Sequence, residues 1–217
     1  MGLTNESQGG GNWLTVFRGE IVKRVPVGTE GAVERSNKNG KIVHELKFNA
    51  LEGSLKRIDV TSGEYGDQWV FVIDDGTNEY FLAMPYSSGP ANGFLFRLPN
   101  LNLERPLKVN TYYIEGDDAK WRQFLSLAQE GQKILPYFTK EEKHGLPDLK
   151  ELIISNQKHL DDTARLAFLR KMVDEKVNPK LRGLYPVDHT EEPRDEIGIP
   201  EEAPPPPTLE DVSDLPF

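Results

Sequence analysis

Three observations predict a mainly β protein, a small closed barrel of about five curved strands, with an open sandwich as the alternative, a helical extension and a solvated tail. Period-two alternation and hairpin turns fill residues 13–138. Helical periodicity begins only after "HGLPDL", and residues 186–217 carry no periodicity at all.

The first twelve residues, "MGLTNESQGGGN", lack the basic and apolar regions of a signal peptide and read as a disordered leader. Within the β body, "KIVHELKFNALEGSLKRIDV" alternates Ile42, Leu46 and Phe48 with polar neighbours. It predicts a long bent strand or a tight strand pair, broken at Gly53. "DQWVFVIDDGTNEYFLAM" predicts a hairpin: an apolar run Trp69 to Ile73, a turn, then Tyr80 to Met84. "LKVNTYYIEG" is a further strand, and "RQFLSLAQEGQKILPYF" a second hairpin turning at Glu130-Gly131. Between them, "SSGPANGFLFRLPNLNLERP" is rich in Gly, Pro and Asn and predicts a long irregular loop with exposed aromatics. The extension, residues 146–180, predicts a helix pair, "LKELIISNQKHL" and "DDTARLAFLRKMVDEKV". In the second helix Asp161 or Asp162 caps the start, Leu166, Leu169, Val173 and Val177 form one stripe that packs on the sheet, and Pro179 follows the end.

The net charge of −9 is unevenly placed. Residues 186–217 hold ten acids (Asp188, Glu191, Glu192, Asp195, Glu196, Glu201, Glu202, Glu210, Asp211 and Asp214) against one base, Arg194. Residues 1–185 therefore balance at 25 acids and 25 bases, so the acidic pI describes the tail and does not bar the body from a polyanion. The tail is also Pro-rich: Pro204 to Pro207 form a stiff extended spacer.

Chemistry is sparse. There is no cysteine, so disulfides and thiolate metal sites are excluded. His44, His144, His159 and His189 lie in different segments, without metal-ligand spacing. The pairs Asp74-Asp75 and Asp117-Asp118 sit in predicted turns, where Asp bonds nearby backbone amides, rather than in a metal site. The sequence predicts a cytoplasmic non-enzyme without cofactors, with no segment of the ~20 apolar residues a membrane helix needs.

What remains is a mixture of aromatic and basic residues along the β body. Single-stranded nucleic acid is held by rings that stack on bases, at ~1–3 kcal/mol each, set among cations that follow the phosphates. Candidate contacts are Lys47, Lys56, Arg57, Trp69, Phe71, Tyr80, Phe81, Arg97, Tyr112, Tyr113, Trp121 and Arg122. Alternation sends many of these rings into the core, and Lys and Arg on a sheet are by default solvated. Lys41 belongs to the same basic run. Rival readings are an adaptor whose Pro-rich tail docks peptide-reading domains and a metal-dependent nuclease using Asp74, Asp75 or Asp117. RNA is a further alternative to DNA.

The ending "EDVSDLPF" resembles the acidic tip of bacterial single-stranded DNA-binding proteins, through Asp211, Asp214, Leu215, Pro216 and Phe217, with Glu210 extending the acids. It departs from that pattern in interrupting the acids with Val212 and Ser213. The arrangement of β domain, helical stretch and acidic tail ending in Phe is similar to phage-encoded single-stranded DNA-binding proteins. The resemblance implies an OB-fold over residues 13–138 that coats single-stranded DNA during replication, recombination or repair, in the host cytoplasm. It also implies a tip that recruits replication proteins such as a polymerase or helicase. Read physically, the tip offers a ring, a carboxylate and steering acids to a partner, and its acids can compete with phosphate for the body. The near-neutral body is compatible with a homo-oligomer.

Overall fold

The computed structural model describes residues 11–37, 40–63, 66–115, 121–154 and 157–186. The tail beyond Pro186, its docking tip Asp211–Phe217 and the Asp117-Asp118 pair lie outside the described residues. So does most of the leader.

The chain opens with a hairpin, β1 (Asn12–Phe17) and β2 (Glu20–Val25), joined by Arg18-Gly19. Both turn residues have positive φ, 49° and 75°, the two-residue turn whose twist matches that of its strands. Short β3 (Val33–Ser36) leads to β4 (Ile42–Phe48). Asn49 interrupts the ladder, and the 14-residue β5 (Ala50–Gly63) follows. The predicted break at Gly53 is therefore misplaced: the chain breaks at Asn49 and runs on through Gly53. That position needs glycine for closeness, since a Cβ there would stand 2.5 Å from the Asp74 carbonyl oxygen. The bend of β5 comes from a bulge between Leu55 and Arg57 that leaves Lys56 unpaired in the ladder.

The two predicted hairpins are present: β6 (Gly66–Asp74) with β7 (Glu79–Pro85), and β9 (Trp121–Gln129) with β10 (Gln132–Ile134), the latter turning at Glu130-Gly131. Between β7 and β8 (Leu107–Glu115) the expected irregular loop contains α1 (Gly89–Leu95) and a 3₁₀ turn, Leu98–Asn100. Ser88 Oγ accepts the Ala91 N–H and Pro90 lies in the first turn, so the residues read as breakers are the start signal. Its aromatics are not exposed: Phe94 and Phe96 are buried.

Ten strands form one sheet in the order β10-β9-β8-β5-β6-β7-β1-β2-β4-β3, antiparallel except for β1 beside β7. The protein is thus mainly β, as expected, but the sheet is larger than five strands and its ladder is not closed. Residues 12–36 supply three of those strands, β1 to β3, which no individual strand prediction covers. The sheet nonetheless curls back on itself: the β1–β2 turn reaches β8, where Thr111 Oγ1 donates to the Gly19 carbonyl at 2.8 Å. A side chain at Gly19 would collide with the Tyr112 and Tyr113 backbone at 2.7 Å. The core lies inside this curl, with Ile21, Ile58, Trp69, Phe71, Met84, Phe94 and Leu125 almost fully buried.

The helix pair is half correct. Residues 150–161 form a two-stranded ribbon, β11 (Lys150–Ile154) and β12 (Gln157–Asp161). The β-branched pair Ile153-Ile154 favours a strand and outweighs the weak helical spacing. The second helix is real: α2 (Thr163–Met172) passes through a π-helical segment, Val173–Val177, into α3 (Asn178–Leu184). Asp161 accepts the Thr163 N–H at 2.9 Å; Leu169, Val173 and Val177 of the predicted stripe are buried in the main core, and Leu166 is buried as well. Pro179 does not end the helix; it occupies the first turn of α3, where a missing N–H is tolerated. Asn178 fastens this region: its side chain accepts from the Ile58 N–H (3.0 Å) and donates to the Ile58 carbonyl (2.7 Å). It thereby completes the edge of β5 as a further strand would. No described helix is long and apolar enough to cross a membrane.

Candidate functional site

Cross-strand partners share a face of a sheet, so the pairing registers assign each candidate. One row runs Arg57–Val72–Phe81–Trp13 across β5, β6, β7 and β1. The next runs Asp59–Val70–Ala83–Thr15–Val22–Lys47 across six strands. This face is opposite the one carrying Ile58, Phe71 and Met84, and it has its own apolar patch of Val70, Val72 and Ala83 flanked by Trp13 and Phe81. The Trp13 and Phe81 rings stack with centroids 5.1 Å apart and planes 24° apart, both partly exposed. Phe17 lies on the same side of β1, with the Arg35 guanidinium 4.3 Å from its ring centroid.

Three predicted residues, Lys47, Arg57 and Phe81, therefore share one face of the sheet, and Trp13 and Phe17 add rings to that face which the sequence reading missed. The signal was there: "NWLTVF" places Trp13, Thr15 and Phe17 at alternate positions. The cations of this face are engaged with acids. Arg57 Nε lies 2.6 Å from Asp59, Lys47 Nζ 2.7 Å from Glu20, and Arg35 makes two bonds to buried Glu45. Any other anion at Arg57 or Lys47 would have to displace Asp59 or Glu20.

The other candidates separate. Trp69 and Phe71 are fully buried: Trp69 donates to the Tyr86 carbonyl and Phe71 packs on Phe94 at 4.1 Å. They share one side of β6, as expected, but it is the core side, so neither ring can meet a base. Tyr80 also packs toward the core, its hydroxyl donating to Asp75 at 3.0 Å. Lys56, in the bulge, reaches Asp74 at 3.2 Å and lies 3.7 Å from the Tyr185 ring centroid, so it pins the end of α3. Arg97 is anchored within the fold: it donates to the carbonyls of Gly93 and Ile134, and burial lowers its pKa. Tyr112 stacks on Phe124 at 5.6 Å on β8 and β9, with Arg122 two residues along the same side of β9. Tyr113 faces the other way, beside Gly19. Trp121 begins β9 opposite Glu115, and its side chain is outside the described residues.

Asp74 and Asp75 act as turn residues. Asp74 accepts the Gly76 N–H at 2.7 Å, and Asp75 accepts from Thr77 and Asn78 at 2.8 and 2.7 Å. These bonds hold both carboxyls below the ordinary aspartate range, with Lys56 adding to the effect on Asp74. Among the described residues no group of three His, Asp or Glu side chains is arranged to hold a metal.

No protein-family model, curated protein or solved structure matches the chain.

Proposed function

We propose that the chain binds single-stranded DNA without sequence preference on the face carrying Trp13, Phe81, Arg57 and Lys47. The observation that carries this reading is the stacked, part-exposed Trp13–Phe81 pair abreast of Arg57, on a sheet face with an apolar floor. Two flat rings suit any base, because every base has a π-face, and flanking cations take the backbone. The order β5-β6-β7-α1-β8-β9, with bent β5 pairing both β6 and β8, supports an OB-like barrel as the scaffold. The contact of the β1–β2 turn with β8, Thr111 Oγ1 to the Gly19 carbonyl, supports closure of such a barrel where the ladder is open. In this reading the protein coats single strands during replication, recombination or repair in the cytoplasm, and Asp211, Asp214, Leu215, Pro216 and Phe217 recruit replication proteins.

The test is fluorescence anisotropy of labelled oligothymidine titrated with the full chain at low ionic strength, beside an RNA of equal length. Saturable binding at micromolar protein is expected, with Trp13 emission quenched. No change in anisotropy at that concentration removes the reading, and a preference for the RNA reassigns the ligand.

A further inference from the structure

Away from the sheet face, the helical run and the segment after α1 enclose a groove of about 850 Å³. Leu101, Phe168, Met172 and Val177 line it, and Lys171, Lys176 and Lys180 stand along its helical side. Lys171 lies 4.0 Å from Glu175, whereas Lys176 and Lys180 have no ion-pair partner among the described residues. Lys176 and Val177 belong to the π-helical segment, a local widening that recurs at functional sites. Glu104 and Glu175 also line the groove, Glu175 beside Lys171, so Lys176 and Lys180 are the cations left to an apolar cleft that suits a short acidic peptide carrying large apolar residues.

We propose that the groove receives residues 209–217 of the same chain, "LEDVSDLPF", with Leu215 and Phe217 in the cleft and Glu210, Asp211 and Asp214 toward the lysines. Charge complementarity favours this segment, since residues 187–217 carry ten acids and one base. Reach favours it too. The chain leaves the described residues at Pro186, two positions after Leu184, which itself lines the groove. Between Pro186 and Leu209 lie 22 residues, a contour of up to about 70–80 Å, long enough to bring the segment back to the groove at a local concentration on the order of millimolar. A partner protein that takes the tip must then first displace it from its own groove. This inference goes beyond nucleic-acid binding and does not depend on it.

The chain has no cysteine, so Ser213→Cys introduces a single site for a nitroxide label. In the full-length protein the label should broaden the amide signals of 98–104 and 168–184 while leaving those of Trp13 and Phe81 sharp. The effect should persist on dilution, and a label at Thr208→Cys, outside the acidic cluster, should reproduce it. The double change Lys176→Glu and Lys180→Glu should abolish it with the other shifts unmoved. Broadening on the Trp13–Phe81 face, or none from either label, overturns the proposal. Broadening that vanishes on dilution also overturns it, assigning the groove to the tail of a second copy. Failure of oligothymidine binding would leave these outcomes unaffected.

Discussion

Trp13 and Trp69 stand on opposite sides of the same sheet, and the two substitutions separate their roles. Trp13→Ala removes a part-exposed ring, so it should cost less stability in urea than Trp69→Ala and weaken oligothymidine binding by about 1–3 kcal/mol, roughly five- to 150-fold. Trp69→Ala empties a fully buried site and should cost about 3–5 kcal/mol of stability by urea unfolding. An unaltered affinity for Trp13→Ala would remove that ring from the interface. The ion pairs of the face supply a second prediction. Asp59 holds Arg57 at 2.6 Å, so Asp59→Asn should release the guanidinium for phosphate and tighten binding several-fold. Weaker binding would mean that Asp59 positions Arg57 rather than competing for it.

At the scale of elements, stability depends on a few side chains that finish what the backbone leaves open. Asn178 satisfies both polar groups of Ile58 at the edge of β5, and Asn178→Ala would strand them in a part-buried setting. A loss of about 1–3 kcal/mol in chemical unfolding is expected. The turn between β6 and β7 has a pH signature. Asp74 and Asp75 are both depressed in the folded state, so their contribution is fully present above the ordinary aspartate value. It is lost as pH falls through the lower folded values. The thermal midpoint should therefore be flat near neutrality and fall in acid. Asp75→Asn should lower the neutral midpoint and flatten the acid limb; an unchanged acid limb would show that other carboxylates dominate. The β11–β12 ribbon and α1 show how local signals trade places. Ser88 and Pro90 open a helix where they read as breakers, and Lys150–Ile154 pairs with Gln157–Asp161 as a ribbon where the spacing suggested a helix.

For the whole molecule, charge division is the governing feature. The body is neutral in sum and its sheet-face cations are already paired, so few phosphates should be neutralised on binding. The salt slope of oligothymidine affinity should be shallow, about −0.7 per phosphate, and Arg57→Gln or Lys47→Gln should each reduce it by about that amount. A slope unchanged in both variants would place the phosphate path elsewhere.

Sequence by itself determined the β character, both hairpins with their turns, the buried stripe of the second helix and the segregation of acid into the tail. Each depends on neighbours a few residues apart: periodicity, turn chemistry and capping act locally and can be read locally. Tertiary structure alone decided which aromatic faces which way. Trp69 and Phe71 on β6 and Phe81 on β7 looked equivalent in sequence. They parted because the sheet curls and buries one of its faces against α1 and the C-terminal helix. The same long-range pairing set β1 beside β7 and so put Trp13 against Phe81, two residues 68 positions apart. No local pattern encodes that meeting, because it follows from the order in which strands enter the sheet.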